Sequence, residues 1–353
     1  MDKLTKNQQL IILLFLKNGN QQSSGVHDLL LKSGEKTSLV TVKRSLSEMS
    51  RVGFLEVSGF GRSTVYKIAV PGRFSAEINA KEYCFGEPDK RFGDSKFNFN
   101  LLEYFKLNPF QKEEKNLLEV KTLEYGKKIK NLSPAISKKE LERFVIELSW
   151  KSSKIEGNTY TLLDTEKLLI RGEKAAGHGR EEAQMILNHK EAFNLVFNNV
   201  KEFKKLTKVN MREVHKLLVK NLNVKTGWRS SAVGVAGSKY MPLDNRFQIE
   251  EAVESFIASI GKQKDPYAKA FFALLGISYI QPFEDGNKRT GRLIANAILL
   301  ANNLAPLSYR SVEESDYREA TLVFYELNSI QPFKKIFLEQ YKFAAENYSV
   351  KKA

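Results

Sequence analysis

The stretch SYIQPFEDGNKRTGR, residues 278–292, decides how the rest of the chain is interpreted. It joins two apolar helical segments through a turn over residues 282–287. A glycine turn that opens a helix presents unpaired backbone N–H groups and the positive end of the helix dipole, which suits an anion. Arg289 and Arg292 lie three residues apart and share one face of the first turns, while Asp285 could hold Mg²⁺ between two phosphates. The residues alone indicate a nucleotide phosphate site, and a purely structural glycine turn is the alternative.

The segment QPFEDGNKRTGR, residues 281–292, resembles the signature of the Fic family, HPFx(D/E)GNGRxxR. Members of that family transfer nucleotide monophosphates, usually AMP, to protein hydroxyls. The resemblance implies ATP or another nucleoside triphosphate as the ligand, with Mg²⁺ on Asp285. It also implies that the nucleotide contacts Gly286, Asn287, Arg289 and Arg292.

Two positions depart from the family signature. Gln281 stands where the family has its catalytic histidine, and a neutral amide cannot take the proton of an attacking hydroxyl. We therefore expect Gln281 to be non-productive as a base. Lys288 replaces a glycine, and the Asn-Lys-Arg-Thr run resembles the toxin branch of the superfamily, where phosphoryl transfer is known. Lys288 could neutralise phosphate charge or change how the nucleotide docks; a solvent-facing helix residue is the structural alternative.

A second motif precedes the first by about 130 residues: Ser152-x-x-x-Glu156-Gly157 resembles the family's inhibitory motif, (S/T)xxxE(G/N). The resemblance implies that Glu156 reaches Arg292, which otherwise holds the γ-phosphate. A carboxylate that competes with a phosphate for one guanidinium is a direct switch. The structural alternative is a surface pair at the end of a helix.

Residues 232–242, AVGVAGSKYMP, have a β-type composition and resemble the Fic flap, a hairpin that pairs with an extended stretch of the target protein. Such main-chain pairing gives affinity with little sequence specificity. Trp228, in a family-like Gly-Trp-Arg run, is expected to pack in the core. None of the four histidines lies beside the phosphate motif in sequence, and His215 is expected to be a packing or surface residue.

Residues 1–70 show the order of a winged helix-turn-helix, three short helices followed by a hairpin. The segment carries ten Lys or Arg and five Asp or Glu, so it is basic. In the third helix the apolar residues have helical spacing, and Lys43, Arg44, Ser47 and Arg51 lie away from them. With Arg62 on the hairpin turn, these residues are predicted to contact DNA in a major groove and along the backbone. Docking to a protein is the alternative.

The composition is that of a globular protein of two or three domains: 353 residues, 42% hydrophobic and 27% charged. A net charge of +15 suggests polyanionic partners. The single cysteine excludes an intramolecular disulfide framework and suits a reducing compartment. The apolar run over residues 10–16 is too short to span a membrane or to indicate a signal peptide, so we expect a cytoplasmic protein without a membrane partner.

The predicted fold is mainly α: an N-terminal winged helix with a small β-hairpin over residues 1–70, a connector over 71–136 that packs on the core, and a Fic domain over 137–348. That domain is predicted to be all-helical with one β-hairpin flap. It opens with an inhibitory helix capped by Ser137 and continues with helices at about 161–171, 179–199, 208–221, 248–262, 266–280, 287–302, 313–328 and 333–347.

Two functional hypotheses follow. In the first, the protein is a DNA-binding transcription regulator whose Fic core binds nucleotide, with AMP transfer lost or weak. In the second, it is an autoinhibited protein adenylyltransferase, held inactive by Glu156 on Arg292 and acting on a protein Ser, Thr or Tyr hydroxyl. A homodimer is expected in either case, since the resemblance implies self-association and winged helices often bind DNA as dimers.

Overall fold

The computed structural model describes residues 4–351, so residues 1–3 of the predicted 1–70 domain lie outside it. The chain is mainly helical, as predicted. Its elements are, in order, α1 Lys6–Asn18, α2 Ser23–Lys32, α3 Leu39–Arg51, β1 Leu55–Ser58, β2 Val65–Ile68, α4 Val70–Phe74, α5 Ala80–Phe85, α6 Asn100–Glu103, α7 Lys112–Lys130, α8 Pro134–Lys154, α9 Leu162–Arg171, α10 Arg180–Asn198, α11 Lys208–Leu218, α12 Arg246–Lys262, α13 Pro266–Ile280, α14 Asn287–Ala301, α15 Glu314–Leu327 and α16 Gln331–Asn347. Short 3₁₀-helices lie at Gly61–Ser63, Pro88–Lys90, Tyr104–Lys106 and Val200–Lys204.

Most predicted helices from residue 161 onward begin and end within about two residues of the observed ones, but α8 does not begin where predicted. Ser137 does not cap it. Ser133 does, and its hydroxyl accepts a hydrogen bond from the N–H of Ile136 at 3.3 Å. Pro134 then takes the first helical position, where its fixed φ suits a helix and its missing N–H costs nothing. The Ser-Pro pair is therefore a stronger start than the capping-box spacing at Ser137.

The chain forms two compact units. The first contains the chain up to Lys96 together with Val235–Tyr240 and Glu319–Lys334. Its N-terminal part shows the predicted order of three helices and a hairpin, with β1 and β2 antiparallel and Leu55 opposite Ile68. One apolar cluster holds this part together. It includes Ile11, Ile12, Phe15, Val26, Val42, Leu46, Met49, Phe54, Ile68 and Ala76.

The second unit contains Phe97–Gly234, Met241–Arg318 and the chain from Lys335 onward. Its centre is the helix pair α13 and α14. Residues 270–280 of α13 are all buried, which explains why that helix is apolar on every side. Gly291 allows the close approach of the pair, because a Cβ there would lie 3.1 Å from the carbonyl oxygen of Leu274. Helices α8, α10 and α11 pack against α14.

The prediction of a hairpin at residues 232–242 is wrong. Within residues 4–351 the structure contains a single two-stranded sheet, β1 with β2. Residues 232–242 instead form an irregular segment with one turn, in which the N–H of Ser238 donates to the carbonyl of Val235 at 3.0 Å. An isolated two-stranded ribbon is marginal in water, and Gly234 and Gly237 in this segment weaken strand formation further.

Helices with the length and apolar character needed to cross a bilayer are absent from residues 4–351.

Candidate functional site

The turn between α13 and α14 depends on two residues with positive φ. Gln281 ends α13 at φ +50°, and its N–H donates to the carbonyl of Ile277 at 3.1 Å. Gly286 precedes α14 at φ +76° and supplies no capping side chain. A Cβ at Gly286 would lie 3.3 Å from the side chain of Val219, so both conformation and space favour glycine. The turn therefore opens α14 without a side chain over its N-terminus.

Asn287 and Gln281 hold this turn in shape. The Asn287 amide accepts from the N–H of Phe283 and donates to its carbonyl, both at 2.8 Å. The same amide donates to Oε1 of Gln281 at 2.9 Å, and Nε2 of Gln281 donates to the carbonyl of Ser278 at 2.6 Å. Both ends of the Gln281 amide thus bond to the protein. Gln281 stabilises the turn and offers no titratable group.

Arg229 supports the turn from outside, a role that the sequence did not reveal. Its side chain is buried, and its Nε donates to the carbonyl of Gln281 at 2.6 Å. Its backbone N–H donates to the carbonyl of Pro282 at 3.0 Å, and Nη1 donates to Ser231 at 2.7 Å. The Gly-Trp-Arg run before the 232–242 segment was the available signal.

His215 also contacts the motif. The fold brings it from α11 onto Phe283, with ring centroids 3.7 Å apart, and Trp228 packs on the same ring at 5.1 Å. His215 is therefore a buried packing residue, one of the two roles expected. Its Nε2 lies 3.0 Å from the carbonyl oxygen of Asp285. Burial lowers its pKa to about 4, so the ring is neutral at pH 7.

Arg289 lies beneath the turn and contacts Asp285, with Nη2 to Oδ2 at 2.7 Å. The guanidinium is 2% exposed, and its Nε and Nη1 are buried without a hydrogen-bond partner within residues 4–351. Unpaired buried donors are costly, so this arginine is suited to an anion that reaches them. The Asp285 carboxylate is 63% exposed and is the one predicted Mg²⁺ ligand. Clusters of three or more His, Cys, Asp or Glu that could hold a metal are absent from the described part of the chain, but Mg²⁺ commonly binds through one carboxylate and substrate phosphates.

Arg292 lies fully buried against the end of α8. Its Nε donates to Oγ of Ser152 and its Nη2 to the carbonyl of Ser152, each at 2.9 Å. Nη2 also contacts Oε1 of Glu156 at 2.7 Å. The remaining nitrogen, Nη1, is buried, and the guanidinium lies over the ring of Tyr317 with Cζ 5.4 Å from the ring centroid. The structure thus places Glu156 on Arg292, as the two motifs predicted, and adds contacts from Ser152 that they did not predict.

Lys288 contacts the other oxygen of the same carboxylate, with Nζ to Oε2 of Glu156 at 3.0 Å. Burial opposes the ionisation of Glu156, but the charges and hydrogen bonds of Arg292 and Lys288 outweigh it and lower its pKa to about 2. Glu156 is therefore ionised throughout the physiological range.

The residues predicted to contact DNA lie in the first unit. Lys43, Arg44, Ser47 and Arg51 are exposed on α3, opposite the buried Val42, Leu46 and Met49. Arg62 is exposed in the 3₁₀-helix between β1 and β2. These positions leave the side chains accessible to a ligand.

Several proteins of known class resemble this chain. The chain is 25% identical over 186 residues to the protein adenylyltransferase Fic of Nematostella vectensis, an alignment that covers 52% of this chain and 44% of the relative. It is 31% identical over 111 residues to a probable protein adenylyltransferase of Aquifex aeolicus, covering 30% of this chain and 34% of the relative. The aligned parts are thus less than half the length of these curated relatives.

Solved structures show the same fold. A Fic family protein of Desulfovibrio desulfuricans matches with a TM-score of 0.56 at 21% identity, over 67% of this chain and 74% of the other. Residues 134–508 of Fic-1 from Caenorhabditis elegans match with a TM-score of 0.54 at 19% identity, over 67% of this chain and 71% of the other. A Fic domain containing signaling protein of Bacteroides thetaiotaomicron matches with a TM-score of 0.53 at 19% identity, over 65% of this chain and 95% of the other.

The family match covers residues 205–299, which include His215, Arg229 and the whole turn from Gln281 to Arg292. The matching family is described as Fic/DOC. This chain therefore contains a Fic/DOC family domain.

Proposed function

We propose that this protein binds a nucleoside triphosphate, by resemblance ATP, at the N-terminus of α14, and that Glu156 controls this binding. The observation that carries the proposal is the contact of Glu156 with Arg292 at 2.7 Å, beside an uncapped helix start. Arg289, on the same helix as Arg292, has two buried nitrogens without a hydrogen-bond partner within residues 4–351. Donors of this kind suit phosphate oxygens.

A phosphate and the carboxylate of Glu156 cannot both occupy the guanidinium edge that Nη2 of Arg292 presents. While Glu156 holds that edge, a triphosphate loses its strongest buried contact. Displacement of Glu156 restores the contact and completes the site. Nucleotide binding is therefore limited by how often Glu156 leaves Arg292.

The chemistry supported by the relatives is transfer of AMP to a protein hydroxyl. In that reaction the hydroxyl oxygen attacks the α-phosphorus, pyrophosphate leaves, and the hydroxyl proton must go to a base. Gln281 cannot accept the proton, and a positioned base contributes about 10²–10⁴ in rate, so we expect slow transfer. Mg²⁺, when bound, would neutralise phosphate charge, and Asp285 is the residue that would hold it. Residues 232–242 would be the docking site for the protein target.

DNA binding by the first unit is a second candidate function. It is favoured by the exposure of Lys43, Arg44, Ser47 and Arg51 on one helix, opposite the apolar face that joins the unit's core. Together the two proposals describe a DNA-binding regulator whose second unit responds to nucleotide, and which would bind DNA as a homodimer. Nucleotide binding does not depend on this second proposal.

Calorimetry with ATP and Mg²⁺ tests the proposed function. The protein and its Glu156→Gly variant are titrated side by side, and we expect at least tenfold tighter binding by the variant. Glu191→Ala is the control, because it removes a carboxylate that makes an exposed ion pair with Lys220 in the same unit. Adding Arg292→Ala to Glu156→Gly should remove the gain in ATP affinity. Equal affinity of the protein and the Glu156→Gly variant would refute control by Glu156, and no binding by either would refute the nucleotide site.

A further inference from the structure

The carboxylate of Glu156 is divided between two cations of one helix face. Its Oε1 contacts Nη2 of Arg292 at 2.7 Å, and its Oε2 contacts Nζ of Lys288 at 3.0 Å. The two cations are four residues apart on α14, so they lie one above the other on adjacent turns. Any ligand that displaces Glu156 therefore uncovers two positive charges.

The two cations do not depend on Glu156 equally. Arg292 is fully buried and keeps its bonds to the hydroxyl and carbonyl oxygens of Ser152 when Glu156 leaves. The Lys288 side chain is 31% exposed, and the structure shows its ammonium on Glu156. Loss of Glu156 would therefore change the surroundings of Lys288 more than those of Arg292. A flexible ammonium with three donors can follow a new anion, while the buried guanidinium stays in place.

We infer that Lys288 is a second phosphate ligand, held on Glu156 in the closed state and transferred with Arg292 to the terminal phosphate of the nucleotide. This inference rests on the proposed function. A terminal phosphate carries more charge than a carboxylate and presents three oxygens, so it can contact both cations at once. The ligand class that fits both cations is thus a nucleotide with a third phosphate, since its terminal group has the charge and the oxygens to replace the carboxylate on each of them.

Lys288 then has opposite effects on nucleotide binding in the two states. In the closed state it stabilises Glu156 against Arg292 and disfavours nucleotide. In the open state it binds the phosphate and favours nucleotide. Removing its charge should therefore have little net effect while Glu156 is present, because the two contributions oppose each other. The same change should weaken binding clearly when Glu156 is absent. This sign pattern is what a double-mutant cycle measures.

The experiment compares ATP and ADP binding, by calorimetry with Mg²⁺, in four proteins: the unchanged chain, Lys288→Met, Glu156→Gly and the double variant. Methionine keeps the length of the side chain and its helix propensity but removes the charge. In the Glu156→Gly background we expect Lys288→Met to weaken ATP binding about tenfold, as for one charge-assisted contact to phosphate. When Glu156 is present, Lys288→Met should change ATP affinity by less than about threefold. ADP binding should change by less than about twofold in the Glu156→Gly background.

A second readout separates a phosphate ligand from a structural residue. In the Glu156→Gly background, Lys288→Arg should restore ATP affinity, and Lys288→Met should make ATP binding less sensitive to salt. Unchanged ATP affinity in the Glu156→Gly/Lys288→Met protein would overturn the phosphate contact. If Lys288→Met lowered ATP affinity equally with and without Glu156, the proposed exchange of Lys288 between carboxylate and phosphate would be overturned. Failure of Glu156→Gly itself to bind ATP would overturn the proposed function, and this inference with it.

Discussion

The imidazole of His215 lies flat on the ring of Phe283, with planes 3° apart and centroids 3.7 Å apart. A residue 68 positions away in sequence thus fixes the central aromatic ring of the phosphate turn. A charged imidazole would be buried at this place beside the Arg289 guanidinium. The packing therefore requires the neutral ring.

The first prediction concerns acid stability. The pKa of His215 is lowered to about 4 by burial, and that of His189 to about 3 by burial and then by the charges of Arg292 and Arg289. The unfolded chain binds these protons near pH 6.5, so this contribution to stability is complete above pH 6.5 and is lost as the pH falls below it. Between pH 7.5 and 5 each histidine should lower the free energy of unfolding by about 2 kcal/mol. Denaturant titrations across this range measure the loss; a flat profile would contradict it, and His215→Gln should reduce the slope.

The second prediction concerns the pH dependence of control by Glu156. Its pKa is lowered to about 2, so the ion pairs are complete above pH 4.5 and are lost only as the pH falls towards 2. The ratio of ATP affinities between Glu156→Gly and the unchanged chain should stay constant from pH 8 to pH 5. Calorimetry at three pH values tests this. A ratio that falls towards one at pH 5 would show that Glu156 is protonated near its ordinary pKa.

The third prediction concerns the missing base. Gln281→His combined with Glu156→Gly should raise AMP transfer to protein, including self-modification, by about 10²–10⁴ over Glu156→Gly alone. The measurement is incorporation of label from α-labelled ATP. Gln281→His alone should remain low, because Glu156 still occupies Arg292. Gln281→Asn is the control, because it changes the side chain without supplying a base. If the double variant transfers no AMP, the domain binds nucleotide without this chemistry.

The fourth prediction concerns the support of the turn. Arg229→Ala removes donors to the carbonyls of Gln281 and Ser231 and leaves a buried gap. We expect a loss of about 2–4 kcal/mol in the free energy of unfolding. Arg212→Ala, at an exposed position on α11, should change it by less than about 0.5 kcal/mol. Equal effects of the two substitutions would show that Arg229 does not hold the turn.

The fifth prediction concerns DNA. Lys43→Ala with Arg44→Ala should weaken binding to a labelled 20-base-pair duplex of random sequence at least tenfold, and should lower the slope of log affinity against log salt by about 2. Fluorescence anisotropy measures both quantities. Lys201→Ala with Lys204→Ala, exposed in the second unit, removes the same charge and serves as the control. If both pairs reduce affinity equally, the binding is only a consequence of net charge.

The features that could be predicted from the sequence are those formed by residues close together in the chain. The helices follow from their apolar spacing, and the phosphate turn is contiguous. The contact of Glu156 with Arg292, 136 residues apart, was predicted from a second motif with its own resemblance. Neither His215 nor Arg229 could be assigned to the turn from sequence, because their contacts exist only once α11 and the 219–231 segment have packed.

Two further features could not be predicted from the sequence, and each has a local physical reason. Residues 232–242 have the composition of strands, but strand pairing needs a partner that composition does not supply. That Lys288 faces phosphate or solvent stays a prediction, whereas its contact with Glu156 at 3.0 Å was not foreseen. That contact depends on the conformation of the turn that follows α8, which sequence spacing does not determine.

The position of Glu156 just beyond the end of α8 determines what kind of motion releases it. The helix ends at Lys154, and Glu156 lies in a turn closed by bonds from its own N–H to Ser153 and from Gly157 to Lys154. Gly157 adopts φ +96°. Because glycine has no Cβ, its backbone can rearrange at little steric cost. Fraying of this one turn frees the carboxylate, while the buried Phe144 and Leu148 of the same helix stay packed. We therefore expect opening to be a local fluctuation with its own equilibrium constant, which hydrogen exchange at Glu156 and Gly157 would measure independently of global unfolding.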